Sequence, residues 1–467
     1  MLIIKLKNFI YFYIFRFFEF LVFDKISYKW LKFSRKTNLR FYKNEDQLNN
    51  FNHNIYAEKF THPFINLKYL QKLSELNPDL AYQKLPEYDK IKKNWINTNM
   101  KYFDSKDYIP EQQVIGSFGN YATLFYYIFY RLNIEKKKDK PRLALKNNEK
   151  ITNINLFDYF KPFIDVEQDT LSYYKNRFKM EINKIPLEFS LPYKNKYYPI
   201  SFAINFYNQA TENQNLNFDY FKLNENQIEK GKEILKKIGI KTSDWYVVMH
   251  IRDIDDTHDF RNSDPNTYLK TIKKIISNGG HVIRMGRNEK IKLPKIKGLI
   301  DYSFSNIKND FMDIFLAAKS KFCVGTDSGY FRIPRFFGVP VLLTNTINHL
   351  IYYSLKSKDL YLPKLVKRNS DNYIFKFQEV FSQPFTLFHS DDHLKKFDCI
   401  TVENTSDEIT NAVSEMIKKI DHGSDHQENN QKKFKLIAEK SGAIFANKIF
   451  AFADCSKYFL NKHEKLL

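Results

Sequence analysis

Cysteine is nearly missing from this chain of 467 residues: only Cys323, Cys399 and Cys455 occur, an odd and widely spaced set. That excludes a disulfide framework and a Cys-based zinc site, and a reducing, cytosolic compartment fits best. Cys323 lies in an apolar run and reads as a small buried hydrophobe rather than a nucleophile. Acidic residues are also short, 53 Asp+Glu against 74 Lys+Arg, for a net charge of +21. A basic surface suits phosphorylated substrates, an anionic membrane or nucleic acid. Charge alone does not choose among these, because lysines are scattered along the whole chain, as a generally solvated surface also requires.

No phosphate loop ending in Gly-Lys-Ser/Thr is present, so an ATPase reading finds no support. An uninterrupted membrane-spanning run is missing too. Met1 to Phe23 is strongly apolar but carries Lys5, Lys7, Arg16 and Glu19, and charges well inside a bilayer are costly. As a helix it suits the membrane interface, or packing on the body of the protein. No small-residue cleavage site follows it, which argues against a secretory signal. Hydrophobic residues make up 43% of the chain, enough for two or three folded domains.

The most informative stretch is Phe322 to Asn345. A short apolar strand ends at Val324, then Gly325, Thr326, Asp327, Ser328 and Gly329 form a loop of small and polar residues. A helix is predicted over Tyr330 to Phe337, stopped by Gly338, with a further strand over Val339 to Leu343. Such a loop lets backbone N–H groups approach an anion, helped by the dipole of the helix that follows. Thr326 and Ser328 add hydroxyl donors, whereas Asp327 can only accept and suits a ribose, a sugar or a cation. A plain strand-to-helix turn also fits these residues.

Earlier, Gln113, Val114 and Ile115 are expected as a strand leading through Gly116-Ser117-Phe118-Gly119-Asn120 into a helix over Tyr121 to Leu132. With a strand at Pro141 to Leu145 this makes a first βαβ unit. Gly116 and Gly119 either admit a substrate close to the backbone or serve a tight turn. The proline-broken stretch Pro186 to Pro199 suggests loops, and a domain boundary is placed near Asn217.

The second half begins with a helix over Asn226 to Ile238 and a buried strand over Trp245 to Met249. Strand alternation points His250 and Arg252 the same way at its carboxyl end, where open α/β sheets bind ligands. Arginine there can fork onto a phosphate, and a structural ion pair is the alternative. Asp253 to Arg261 is an acidic loop whose carboxylates, with His258, could hold a metal or supply a base, or merely offset the basic surface. A helix over Pro265 to Ser277, a strand over His281 to Met285, a loop at Gly286-Arg287-Asn288, a short strand over Leu299 to Tyr302 and a helix over Asp310 to Ala318 follow. This alternation is that of a parallel doubly wound sheet. A capping box at Thr405-Ser406-Asp407-Glu408 starts a helix to Ile420, and Phe434 to Phe459 is expected to be helical.

The segments VVMHIRD, RNSDPNTYLKTI, GGHVIRMG, LIDYSFS, DIFLAAKSKFCVGTDSGY and FFGVPVLLTN, in this order and spacing, resemble a bacterial family catalogued as glycosyltransferases. More remotely, His250-x-Arg252 with the later Gly/Ser/Asp loop is similar to fucosyltransferases that use GDP-fucose. The resemblance covers Trp245 to Ile420 best. It implies an α/β protein of two Rossmann-like domains facing a cleft (a GT-B-like fold) behind the N-terminal apolar helix. With the apolar segment and the boundary near Asn217 read from the residues, the expected division is 1–24 membrane-associating, 25–217 acceptor-side, 218–421 nucleotide-sugar domain and 422–467 spacer and closing helices.

Residue by residue, it puts Arg252 on the diphosphate, with His250, Asp253 and His258 as positional candidates for catalysis. Gly325, Thr326, Asp327, Ser328 and Gly329 would cradle the donor, and Gly286, Arg287, Asp301 and Tyr302 would lie near its nucleoside. Gly116, Gly119 and Asn120 fall to the acceptor side. No metal and no cofactor beyond the nucleotide-sugar substrate is implied. The expected function is transfer of a sugar to a surface polysaccharide or lipid-linked glycan, in the cytoplasm at the inner membrane surface, without nucleic acid. A non-catalytic protein binding nucleotide-sugar or an anionic membrane is the alternative.

Overall fold

In a computed structural model of the chain, the described residues are 108–109, 112–115, 118–133, 135–169, 190–193, 196–199, 221–254, 259–287, 289–347, 356–382, 385, 391–423, 429–440 and 453–467. The apolar segment Met1 to Phe23, the boundary at Asn217 and the site candidates Gly116 and His258 lie outside them. Among the described residues no helix is long and apolar enough to cross a membrane. The chain divides into two compact units, one of residues 1–102 with 387–397, the other of 103–386 with 398–467. In the first, the described element is a helix over Asp391–Lys396. All that follows concerns the second.

Its amino-terminal part holds a small parallel sheet of β1 (Tyr108–Ile109), β2 (Arg142–Leu145) and β3 (Asp165–Gln168). The strand expected at Gln113 to Ile115 is instead a helical turn, α1 (Gln112–Ile115). A run of two apolar residues carries no period that separates strand from helix. Thr152 settles it by caring for the free carbonyls of the turn: its N–H donates to the Val114 carbonyl at 2.9 Å and its Oγ1 to that of Ile115 at 3.0 Å. Helix α2 (Phe118–Asn133) is apolar around most of its circumference and is correspondingly buried, from Tyr121 through Phe129. Asn153 caps α3 (Ile154–Phe160), accepting from the Leu156 N–H, while its Nδ2 donates to the Asp310 carbonyl at 3.0 Å. Pro186 to Pro199, expected as loops, contains an antiparallel hairpin of β4 (Ser190–Tyr193) and β5 (Lys196–Pro199).

The larger part begins with α4 (Glu225–Lys237), closed at its start by a reciprocal capping box between Asn224 and Gln227. Seven parallel strands then form the main sheet: β6 (Tyr246–His250), β7 (His281–Met285), β8 (Leu299–Asp301), β9 (Cys323–Gly325), β10 (Val341–Thr346), β11 (Leu360–Pro363) and, after the antiparallel pair β12 (Leu365–Arg368) and β13 (Cys399–Val402), β14 (Asp454–Cys455). Their spatial order is β14-β11-β10-β9-β6-β7-β8. Runs such as Val247-Val248-Met249 and Val341-Leu342-Leu343 are wholly buried, as strands covered on both faces must be.

Two expectations need correction. The closing segment is not helical throughout: between α5 (Asn429–Lys440) and α6 (Lys457–Lys462), β14 adds the edge strand of the sheet. The helix predicted over Tyr330 to Phe337 shrinks to the five residues Arg332–Phe336, because Tyr330 and Phe331 remain in a turn whose tyrosine ring stacks elsewhere. Phe336 of that helix packs face to face on Phe125 of α2, with ring centroids 4.7 Å apart, and Phe160 and Phe221 complete the aromatic cluster.

The strand order contains one reversal. From β6 the chain runs outward through β7 to β8, then returns to the other side of β6 as β9 and proceeds away from it through β10 and β11. The crevice outside the carboxyl ends of β6 and β9 is therefore the topological switch point of the sheet, the place where open α/β sheets bind ligands.

Candidate functional site

The two stretches that stood out in the sequence end on these two adjacent strands. His250 is in register with Gly325, and Met249 with Val324. Beyond the sheet the ladder continues through side chains. The Thr326 N–H donates to the His250 carbonyl at 3.0 Å, and the Arg252 N–H donates to Thr326 Oγ1 at 2.9 Å. Thr326 is fully buried, and its hydroxyl clips the strand ends together. Ser328 Oγ lies 2.9 Å from His250 Nδ1. The imidazole stacks on Tyr330 at 5.3 Å between centroids and 19° between planes.

Arg252 is itself buried, with Nη1 against Asn262 Oδ1. Its carbonyl accepts the Ser263 N–H, and the buried Lys364 ammonium donates to the carbonyls of Phe260 and Asn262. The loop after β6 is thus fastened at both ends. Arg261, missed in the sequence, grips the glycine-bounded loop: its Nη2 donates to the Asp327 carbonyl at 2.8 Å, and its Nε lies 3.5 Å from Asp327 Oδ2. The Asp327 carboxylate is thus paired with a guanidinium.

Beneath lies Arg284, an arginine inside β7 with no exposed surface. Its Nη1 reaches the Ile291 carbonyl and stands 3.4 Å from Asp301 Oδ2, and its Nη2 is 4.0 Å from Asp253 Oδ2. Asp253 and Asp301, expected at the chemistry and the nucleoside, serve the loop after β7: Asp253 accepts the Ile291 N–H at 2.8 Å and Asp301 the Leu293 N–H at 3.0 Å. Tyr302 is buried, its hydroxyl donating to Asp313 Oδ1 at 2.9 Å. Gly286 stays close to Glu289, since a Cβ there would fall 2.0 Å from the Glu289 carboxyl. Arg287 is exposed, its carbonyl accepting from the Lys308 ammonium at 3.4 Å.

Burial, then the charges of Arg284 and Arg252, pull the His250 pKa down to about 4, so the ring is neutral at physiological pH. Burial raises the Glu289 carboxyl, opposed by its own N–H, Arg284 and Lys308. Burial also lifts Asp313 to about 6 against the Tyr302 hydrogen bond, and a carboxyl poised there can give or take a proton near neutrality. Glu289 and Asp313 were both overlooked. Glu289 stands one residue past the glycine loop already picked out after β7. Arg284 carried the clearest missed signal, a charge inside an apolar strand, which must find partners when buried.

The acceptor-side candidates come to the same place. Gly329 packs directly on the first turn of α2: a Cβ on it would lie 2.6 Å from the Gly119 nitrogen. Arg332 Nη1 donates to the Gly119 carbonyl at 3.1 Å, and Phe118 meets Tyr330 edge-on. Asn120 is half-buried in the same turn. The two glycine loops, some two hundred residues apart in sequence, touch. The five-residue helix after Gly329 is too short to bring much dipole to an anion, so positive charge here comes from arginines.

No family model and no curated protein matches the chain. Solved structures similar to it include a glycosyl transferase family 9 protein from Veillonella parvula DSM 2008, 10% identical with a TM-score of 0.30, covering 49% of this chain and 78% of that one. Another is the E. coli ADP-heptose lps heptosyltransferase II, 10% identical, TM-score 0.32, covering 48% and 81%. A third is the iron-containing dodecameric heptosyltransferase TibC in complex with ADP-D-beta-D-heptose, 12% identical, TM-score 0.33, covering 64% and 74%. Likenesses this slight decide nothing about the present chain; its own residues must.

Proposed function

We propose that this protein is a glycosyltransferase that takes its sugar from a nucleotide-sugar held at the carboxyl ends of β6 and β9. The observation that carries the reading is the convergence of Arg252 and the Gly325–Gly329 loop at the switch point, joined by the 2.9 Å hydrogen bond from the Arg252 N–H to Thr326. As the sugar–phosphate bond breaks, negative charge grows on the departing diphosphate. Fixed guanidinium groups and loop N–H groups in a partly dry crevice stabilise that charge without reorganising. Arg252, and Arg261 through Asp327, are the groups that supply or hold this field, and Gly119 with Asn120 stands across from the loop on the acceptor side.

In this reading no metal is needed, because arginines occupy the place where a cation would neutralise phosphate. The finer assignments follow the family resemblance of the sequence: a surface polysaccharide or lipid-linked glycan as acceptor, two Rossmann-like domains, and work at the inner membrane surface through the basic, apolar amino-terminal segment. His250 organises the donor loop.

The test is a panel of nucleotides and nucleotide-sugars scored by melting temperature, followed by transfer of a labelled sugar. At least one nucleotide should raise the melting temperature. Arg252→Ala should then lower transfer at least about a hundredfold in protein that still melts cooperatively. A panel with no stabilising nucleotide, or undiminished transfer by Arg252→Ala, would sink the reading.

A further inference from the structure

The polar atoms beneath the switch point are not all accounted for. Arg284 Nε and Nη2, Glu289 Oε2 and Asp301 Oδ1 are buried and have no hydrogen-bond partner. Of these groups Glu289 is the one that faces the ligand loop, because its Oε1 stands 3.7 Å from His250 Nε2, with the Glu289 side chain almost fully buried. The other ring nitrogen, Nδ1, meets Ser328 Oγ at 2.9 Å. Stacking on Tyr330 holds the ring plane, so the side-chain neighbour of Nε2 is Glu289 and that of Nδ1 is Ser328.

A neutral imidazole carries a single hydrogen, on one nitrogen or the other. The charged groups around the pair are Arg284 from β7, Arg252 beyond β6, and Lys308 and Asp253 close to Glu289. Burial raises the Glu289 pKa, while its own N–H, Arg284 and Lys308 work against that, and in the carboxylate form the group can only accept. The ring hydrogen then belongs on Nε2, and Nδ1 is left as a bare acceptor. Ser328 must supply the proton for the 2.9 Å contact. Ser328 Oγ also accepts the Tyr330 N–H at 3.3 Å. A hydroxyl has one hydrogen and two lone pairs, so half-exposed Ser328 retains one lone pair and no hydrogen for a ligand.

We propose that Glu289 is a positioning residue that holds His250 in its Nε2–H tautomer, and thereby makes Ser328 an acceptor for a ligand hydroxyl rather than a donor to a phosphate. A phosphate oxygen cannot use the remaining lone pair; a sugar or ribose hydroxyl can. The ligand half of this inference rests on the nucleotide-sugar reading, and the tautomer half does not. It reverses the role that the sequence suggests for Ser328.

Nitrogen NMR of the full chain, selectively labelled with 15N-histidine at pH 7.5 and free of ligand, decides the tautomer. The His250 signals are assigned by their loss in His250→Gln. The expected wild-type pattern is a protonated Nε2 and an unprotonated, hydrogen-bonded Nδ1. Glu289→Leu should abolish the preference and give a mixture. Ser328→Ala should keep Nε2–H while Nδ1 moves to the position of a free nitrogen. A wild-type Nδ1–H or imidazolium, or an unchanged tautomer in Glu289→Leu, would overturn the proposal. Should Glu289→Leu not fold, the wild-type and Ser328→Ala spectra alone decide.

The ligand half is read by titrating UDP-, GDP- and ADP-sugars and inorganic pyrophosphate. Ser328→Ala should weaken the bound nucleotide-sugar about five- to tenfold and pyrophosphate less than twofold. Equal losses would overturn the hydroxyl assignment. If no nucleotide-sugar binds at all, the glycosyltransferase reading fails while the tautomer result stands.

Discussion

Gly329 is where the two glycine stretches of this chain meet, and a single methyl group there has nowhere to go. Its Cβ would sit 2.6 Å from the backbone nitrogen of Gly119, and backbone cannot swing aside as a side-chain tip can. Gly329→Ala is therefore expected to cost about 1–3 kcal/mol, read as a lowered midpoint in urea unfolding. A change within a few tenths of a kcal/mol would show that the loops are not in contact. Thr326 makes a different demand. Its Oγ1 is the acceptor of a buried Arg252 N–H, so Thr326→Val keeps the shape and orphans a donor. The expected loss is again about 1–3 kcal/mol; Thr326→Ser, which keeps the acceptor, should recover the hydrogen-bonding part of that loss when the two variants are unfolded side by side.

At the scale of elements, the terminal helix α6 is tied to the long helix over Ser406–His422 through two carboxylates, Glu415, which accepts the Lys457 and Tyr458 N–H groups, and Glu408. Glu408 closes the capping box at that helix start and accepts from Lys462 Nζ and His463 Nε2, both at 2.7 Å. Burial alone would raise its pKa; the hydrogen bonds from His463, Lys462 and the Thr405 N–H outweigh burial and hold it at about 2, below its ordinary 4.5. A depressed carboxylate stabilises the fold above its unfolded pKa and loses that contribution as pH falls through the folded one. Glu408→Gln should thus be destabilised at pH 7, by on the order of 2–3 kcal/mol, with the gap to wild type closing between about pH 4.5 and pH 2. A gap that persists at pH 2 would assign the effect to packing.

For the whole molecule, acid should act in two stages with different causes. His250 is held neutral down to about pH 4 against an ordinary 6.5. The unfolded chain takes that proton first, so stability falls as pH drops from about 6.5 to 4, by on the order of 3 kcal/mol. Glu408 acts below that window. Urea unfolding of wild type and His250→Gln from pH 7.5 to 4 checks the upper stage: the variant should show a flatter profile there, and parallel profiles would mean the imidazole titrates freely. Since His250 sits at the switch point and Glu408 at the start of the helix over Ser406–His422, the two stages also separate the carboxyl end of β6 from the contact with the closing helix.

Much of this was written in the order of residues. Apolar runs bounded by glycine and a doubly wound alternation declared the parallel sheet, because buried strands leave no freedom to be polar. His250, Arg252 and the Gly325–Gly329 loop were marked by lying at strand ends. Short or ambiguous runs were not legible: Val114 and Ile115 form a turn because Thr152, far along the chain, satisfies their carbonyls, and β14 is a two-residue strand. Partners were not legible either. That Asp327 is paired with Arg261, that Asp253 and Asp301 serve Arg284, and that Thr326 is engaged by Arg252 are consequences of strand order, which brings residues of distant sequence to one crevice. Local chemistry writes which groups a chain carries and where its strands end; only the packed sheet decides which of those groups have already used their hydrogens and charges on one another, and which are left for a ligand.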